Sequence, residues 1–168
     1  GISTSKNDAD YSGDFVDWGT NPIANGGNTL NPWRTLTKDE WTYIFYDRPN
    51  ADKLFSAGTV HDAQGILILP DNWQTPDGLT FKSSTETGLL LEADGTCYIS
   101  QGRLEEYWHN KYTADEWQRM EQAGAVFLPA ANSRSGIDAS TRGAYYWTGT
   151  PDSNKSTEAY SFYYTGYL

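Results

Sequence analysis

The phrase T-x-D-E-W occurs twice in this sequence, at residues 37–41 and 113–117. In each copy a Thr precedes a Glu by three residues, the spacing of a capping box, in which hydroxyl and carboxylate each satisfy the other residue's backbone amide. Apolar residues follow at helical spacing, so the sequence predicts helices over residues 37–47 and 113–123. The residues at helical spacing in the first helix are Trp41, Ile44, Phe45 and Arg48. The residues predicted to face inward in the second are Trp117, Met120 and Ala123.

Short apolar segments that close with proline follow both predicted helices. GILILPD at residues 65–71 is typical of a central buried strand, and with AGTVHDAQ before it predicts a hairpin that turns near His61, Asp62 and Gly65. AVFLP at residues 125–129 predicts another strand. Residues 72–96 show little periodicity and are interpreted as a loop, and the Gly- and Asn-rich residues 1–30 as an irregular segment.

The length of the chain, 168 residues, suits one domain over residues 1–168. Its formal net charge is −10 and no Lys/Arg cluster occurs, which disfavours nucleic acid and anionic membranes as partners. The opening GISTSKNDAD does not form a signal peptide, and the longest apolar run, residues 66–69, is too short to cross a bilayer. We therefore expect no direct membrane insertion.

Residues that could carry catalysis or bind a metal are few and scattered. His61 and His109 lack metal-ligand spacing, adjacent Glu105 and Glu106 would diverge on a helix, and Cys97 has no neighbouring base in the sequence and no partner for a disulfide. Loop Asp and Asn residues could offer oxygens to calcium, but without regular ligand spacing. We expect a chain with no enzymatic activity, no cofactor and no metal.

The last residues, 142–168, hold half of the twelve tyrosines, interleaved with Ser, Thr, Asn and Gly. They predict two strands, residues 143–150 and 159–167, joined by the polar connector PDSNKSTE. Alternation along the second strand places two sets of side chains on opposite faces. One set is expected to join Trp147 in the core. For the other set, both ligand binding and a purely structural role are open. The core set is Tyr160, Phe162 and Tyr164, and the opposite set is Ser161, Tyr163, Thr165 and Tyr167.

A series of phrases in the same order resembles a known family. WRTLTKDEWTYIF, GILILPDNW, EWQRMEQAGAVFLPAANSRSG, GAYYWTGTP and AYSFYY are similar to C-type-lectin-fold domains of surface and secreted proteins in gut Bacteroidetes, over about residues 17–164. The resemblance implies an α+β C-type lectin fold, with two helices packed on a small antiparallel sheet, long irregular loops and a ligand face on the last strands. It also implies a location outside the cell, at the cell surface or on a phage virion.

Two branches of this family bear on function. Formylglycine-generating enzymes use a pair of cysteines in their C-terminal part, which this sequence lacks. Variable proteins of diversity-generating retroelements display hypervariable residues, and their strand pattern matches residues 159–165. By that match the variable positions are Ser161, Tyr163 and Thr165, with Tyr145 and Thr148 beside the fixed Tyr146 and Trp147, and Asp152, Ser153 and Asn154 in the exposed connector.

Two departures from the family are visible. Relatives usually continue to a closing strand, which the resemblance implies is missing or replaced here, because the sequence ends at Leu168. The calcium signatures of animal C-type lectins, Glu-Pro-Asn and Trp-Asn-Asp, do not occur.

The leading hypothesis is a non-catalytic module that binds a cell-surface protein or glycan. The alternatives are an enzyme, either a degenerate formylglycine-generating type or a glycan hydrolase, and a structural interaction domain of a stalk or pilus. The contact residues expected under the leading hypothesis are Tyr145, Thr148, Asp152, Ser153, Asn154, Ser161, Tyr163, Thr165 and Tyr167.

Overall fold

The structure, a computed structural model, describes residues 35–93, 97–102, 108–130, 134–135, 138–139, 143–151 and 159–166. In these ranges the fold is α+β. The helices are α1 (Lys38–Thr42), which continues as a π-helical turn (Tyr43–Asp47), a 3₁₀ turn (Ala51–Lys53), α2 (Ser84–Thr87) and α3 (Ala114–Gln122). The strands are β1 (Phe55–Val60), β2 (Ala63–Ile68), β3 (Leu90–Ala93), β4 (Cys97–Gly102), β5 (Lys111–Tyr112), β6 (Val126–Pro129), β7 (Arg134–Ser135), β8 (Asp138–Ala139), β9 (Gly143–Pro151) and β10 (Ala159–Gly166).

The strands form two four-stranded sheets and one small pair, β7 with β8. Sheet A has the order β5-β1-β2-β6, and sheet B has the order β3-β4-β10-β9. Most neighbours are antiparallel, but β1 pairs with β5 and β4 pairs with β10 in parallel. The sheets are therefore mixed, which corrects the expectation of one small antiparallel sheet.

Helix α1 begins as the sequence predicts. The Thr37 amide donates to Glu40 Oε2 at 2.8 Å, and the Glu40 amide donates to Thr37 Oγ1 at 3.2 Å, which completes the capping box. The helix changes to π-helical winding at Tyr43, and the Arg48 amide donates to the Tyr43 carbonyl at its end. The predicted span, residues 37–47, is confirmed.

The hairpin of β1 and β2 also follows its prediction. His61 and Asp62 form the two-residue turn with positive φ, 46° and 67°, the conformation that tight hairpins require. Gly65 lies against β6, where a Cβ would overlap the Leu128 carbonyl oxygen and the Phe127 ring. The close pairing of β2 with β6 therefore depends on glycine at this position.

Two expectations are corrected outside these elements. Residues 72–96 were predicted as loop, yet they contain α2 and β3. Helix α2 begins at Ser83, whose amide and hydroxyl both donate to Glu86 Oε2 at 2.8 Å, so the three-residue spacing of Ser and Glu was a usable signal. In α3, Trp117 and Met120 are buried as predicted, but Ala123 is exposed because the helix ends at Gln122.

Sheet A separates two apolar clusters. On one face α3 packs through Trp117 and Met120 against a cluster that includes Leu67 and Leu69. On the other face lies the aromatic cluster, in which α1 and sheet B meet sheet A through Trp41, Phe45, Phe55 and Phe162. Phe162 stacks on the rings of both Trp41 and Phe45, with centroids 5.0 Å and 4.5 Å away.

We predict that Phe162→Ala lowers the free energy of unfolding by about 3–5 kcal/mol, the usual cost of deleting a fully buried phenyl ring. Phe162 has an exposed fraction of 0% and touches residues from several elements, so the cavity cannot close by a local shift. Urea unfolding measures the change. The matched control is Trp147→Ala in the paired strand β9. The Trp147 side chain is exposed, so its removal should lower the free energy of unfolding by less than about 1 kcal/mol. Equal losses in the two variants would contradict this assignment of the core.

Candidate functional site

The hairpin of β9 and β10 presents an exposed aromatic surface. Antiparallel register pairs Tyr163 with Tyr145 and Ser161 with Trp147, so these four side chains share one side of sheet B. The Tyr145 and Tyr163 rings stack with centroids 4.1 Å apart and planes 21° from parallel. We call these four residues the aromatic face.

The opposite side of the same hairpin belongs to the core. Phe162 and Ala144 are buried, and Tyr146 is half-buried, with its hydroxyl donating to the Pro129 carbonyl at 2.6 Å. Burial raises the pKa of Tyr146 to about 12. This hydrogen bond connects β9 of sheet B to β6 of sheet A, so the support under the aromatic face is tied to both sheets.

Two expectations for β9 are wrong. Trp147 was assigned to the core, but 63% of it is exposed, and Thr148 was assigned to the contact set, but it is only 7% exposed. The Thr148 Oγ1 atom accepts from the Thr150 amide at 3.1 Å. Alternation is the physical reason: in an extended strand Tyr145 and Trp147 must share one side, and Tyr146 and Thr148 the other.

The other predicted contact residues divide by where they lie. Ser161 and Tyr163 are half-buried members of the aromatic face, and Tyr145 is about half exposed, at 49%. Thr165 lies on β10, where the backbone pairs it with Gly143. The predicted positions outside the described residues are Asp152, Ser153, Asn154 and Tyr167.

Strand β10 also contains the residues predicted for the core. Phe162 is confirmed as core. Tyr160 is half-buried rather than fully enclosed, and Lys38 Nζ lies 4.2 Å from the centre of its ring, a cation–π contact. Tyr164 pairs with Ile99 of β4 and Ala144 of β9 through the backbone. Register further places Tyr98 of β4 next to Tyr163, so three tyrosine positions form one row across sheet B.

The arrangement is suited to recognition by contact. Tyrosine and tryptophan offer large rigid surfaces with a polar edge, and they lose little conformational entropy on binding. Stacking fixes Tyr145 and Tyr163 against each other before any ligand arrives. The aromatic face is therefore preorganised, which reduces the cost of association.

Elsewhere the described residues offer little that resembles a reaction centre. His61 and His109 are exposed. In the ranges that the structure describes, no group of three or more His, Cys, Asp or Glu side chains lies close enough together to hold a metal ion. The described helices are all too short or too polar to cross a membrane. Cys97 lies on β4, while Glu105 and Glu106 fall outside the described residues.

Comparison of this chain with protein-family models, with curated proteins and with solved structures finds no match. The case for a function therefore depends on the geometry of the aromatic face together with the sequence phrases.

The buried tyrosines generate a pH prediction. Burial raises the pKa of both Tyr112 and Tyr146 from the ordinary value of 10.0 to about 12, and the Glu116 carboxylate adds to the shift at Tyr112. Above pH 10 the unfolded chain ionises these phenols while the folded chain does not, so stability is complete below pH 10 and is lost as the pH rises towards 12.

In that interval we expect the free energy of unfolding to fall by at most about 1.4 kcal/mol per pH unit through the buried Tyr112, and by less through the half-buried Tyr146, which solvent screens. The double variant Tyr112→Phe/Tyr146→Phe should show a flatter decline. Its stability at neutral pH is lower, because it loses the hydrogen bonds that the Tyr112 hydroxyl donates to the Thr80 carbonyl and the Tyr146 hydroxyl donates to the Pro129 carbonyl. Urea midpoints across the alkaline range give the slope. A slope identical to that of the unaltered chain would show that neither phenol is protected from ionisation.

Proposed function

We propose that this chain is a non-catalytic ligand-recognition module, and that the aromatic face is its contact surface. The observation that carries the proposal is the exposure of Trp147 and Tyr145 directly opposite Ser161 and Tyr163, on a hairpin whose other side is anchored in the core. Exposing several large aromatic side chains together to water is unfavourable in free energy. Such a surface on a well-supported strand pair is typical of an interaction site.

The ligand we favour is a protein surface on another cell or particle. Side chains from paired strands form a broad sheet surface, which suits a protein partner better than a small molecule enclosed in a cleft. Tyr and Trp are also the residue types enriched at protein-binding hot spots. Trp147 is 63% exposed, Tyr145 is 49% exposed and Tyr163 is half-buried. The three aromatic residues together offer on the order of 300 Å² of contact, against about 800 Å² per partner in a standard interface. The partner must therefore also touch residues around the aromatic face.

The finer part of the proposal is a C-type lectin fold of the type used by variable proteins of diversity-generating retroelements, placed outside the cell or on a phage virion. The ordered sequence phrases support it, as does the position of Ser161 and Tyr163 on the side of β10 that faces away from the aromatic cluster. Substitution at these positions would change the contact surface while Phe162 and its stacking partners stayed the same.

The contact role is tested by screening the purified chain against arrays of bacterial surface proteins and of glycans. Each bound protein is then measured by surface plasmon resonance with Tyr145→Ala/Tyr163→Ala and with Trp147→Ala. We expect at least a tenfold weaker affinity for each, because truncating a buried interface aromatic residue commonly costs about 2 kcal/mol or more. The control is Trp108→Ala, an equally exposed tryptophan on another part of the molecule.

Unchanged affinity in the double variant would refute the proposal, provided that circular dichroism shows the same fold. Binding to glycans alone, with loss in the same variants, would replace the protein partner by a glycan. A solution assembly in which Trp147 became buried between copies of this chain would instead favour the structural interaction domain.

Diversification has its own test, the DNA around the coding sequence. We expect a nearby reverse-transcriptase gene and a near-copy of the segment that encodes residues 142–168, differing from it at adenines. The substituted codons should include those of Ser161, Tyr163 and Tyr145 and should spare those of Phe162 and Ala144. Differences that fell equally on both sides of the hairpin would argue against selection for a displayed surface.

A further inference from the structure

A second candidate surface lies on sheet A and includes none of the residues of the aromatic face. There an open groove of about 550 Å³ crosses the sheet close to the β1–β2 turn. Its floor follows the strand register: Lys111 of β5 pairs with Thr59 of β1, Thr59 pairs with Gln64 of β2, and the Ala130 amide donates to the Gln64 carbonyl. One row of residues thus continues across β5, β1 and β2 to Ala130, which directly follows β6.

The side chains around this row have unused binding capacity. Trp108 is 65% exposed, the highest value among the large hydrophobic residues that the structure describes. Asp62 and Lys111 are exposed and Gln64 is half-buried, and within the described residues none of these three side chains has a hydrogen bond or an ion pair. The groove therefore combines one aromatic plane with a carboxylate, an ammonium and an amide.

The backbone holds these groups in place. Asp62 is fixed by the positive-φ turn, while Gln64 and Lys111 lie on paired strands. Asn110, two residues after Trp108, is 2% exposed. Its side-chain amide donates to the Ala57 carbonyl at 3.0 Å and to the Lys82 carbonyl at 2.8 Å. The turn, the paired strands and the Asn110 hydrogen bonds thus support the described part of the groove.

From this combination we infer a carbohydrate-binding groove, formed by Trp108, Asp62, Gln64 and Lys111, that takes one or two neutral sugar units. The C–H face of a pyranose can pack on the indole ring, and its hydroxyl groups both donate and accept. Asp62 accepts, Lys111 donates and Gln64 does both, which matches the mixed demand of a row of hydroxyls. The volume lies in the range of small-molecule sites, about 300–1,000 Å³.

Charge favours a neutral ligand over an ionic one. Among the described residues that line the groove, one carboxylate and one ammonium balance in charge, whereas the chain as a whole carries −10. A free anion would meet that overall repulsion and find one cation. A zwitterion such as an amino acid could use both charges but leaves Gln64 and much of the indole ring without a partner.

The groove and the aromatic face lie on different sheets, contain different residues and would bind different classes of ligand. Sugar binding in the groove is therefore independent of the proposed function of the aromatic face. A module with both surfaces would hold a protein through one and a sugar through the other.

The experiment labels the chain with 5-fluorotryptophan and follows the seven tryptophan signals by fluorine NMR. Trp108→Phe and Trp147→Phe assign two of the signals. The probes are methyl β-glucoside, methyl β-galactoside, methyl α-mannoside and N-acetylglucosamine, with alanine as the zwitterion and sulfate as the anion. Each is added to on the order of 50 mM, because a ligand of about 13 non-hydrogen atoms at ordinary efficiency binds with Kd on the order of 1 mM.

We expect at least one sugar to shift the Trp108 signal saturably while the Trp147 signal stays in place. Gln64→Ala and Lys111→Ala should each weaken that binding at least threefold, and Asp62→Asn, which preserves the turn, should do the same. Tyr145→Ala should have no effect. The inference is overturned if no sugar gives a saturable shift, if alanine or sulfate shifts the signal as strongly as the sugars, or if the three groove variants bind the sugar unchanged.

Discussion

The stack of Trp41, Phe162 and Phe45 is the contact on which the rest of the structure depends. It joins α1, the π-helical turn and β10, and Phe55 of β1 meets Phe45 edge-on at 5.1 Å, which brings in sheet A. These rings supply the large buried apolar area that a chain with few aliphatic residues near its C-terminal end would otherwise lack. Because Phe162 lies at the centre of this stack, the orientation of its strand is fixed, and so is the side on which Ser161 and Tyr163 emerge.

Arg48 stabilises the C-terminal end of the π-helical turn that continues α1. Its guanidinium is 5% exposed and donates to the carbonyl groups of Ile44, Leu69 and Leu54, at 2.6, 2.7 and 3.1 Å, and to Asp71 at 3.2 Å. A buried guanidinium is tolerated because its donors are satisfied by these oxygens. The same Asp71 accepts from the Tyr43 hydroxyl, and this hydrogen bond raises the pKa of Tyr43. Arg48 thus joins the end of the π-helical turn to the two residues that flank the β1–β2 hairpin, Leu54 before β1 and Leu69 after β2.

The sequence predicted best what depends on short-range chemistry. The two capping boxes, the turn at His61 and Asp62, and the hairpin of β9 and β10 all follow from residues within a few positions of one another. Pairing between distant segments could not be obtained in this way. The parallel contacts of β1 with β5 and of β4 with β10 join segments about fifty to sixty-five residues apart, and no local signal specifies such partners.

The error at Trp147 and Thr148 has a different origin. Alternation was applied to β10 and gave the correct side for Ser161, Phe162 and Tyr163. It was not applied along β9, where Trp147 was grouped with the core and Thr148 was assigned through the family resemblance. The same two-residue period, counted along β9 from Tyr145, places Trp147 on the displayed side and Thr148 on the core side. The signal for this part of the site was therefore present in the sequence.

Two tryptophans of nearly equal exposure, Trp147 on β9 and Trp108 at the edge of the groove, have different surroundings. Trp147 belongs to a broad surface that includes two stacked tyrosines, which is suited to another broad surface. Trp108 borders a groove with a carboxylate, an ammonium and an amide, which is suited to a small polar molecule. The sequence alone does not distinguish these two tryptophans. The residues that the fold brings next to each of them indicate the kind of partner that each would bind. For that reason each serves as the control for the other: a loss caused by removing one indole ring and spared by removing the other can be assigned to a surface rather than to a general loss of stability.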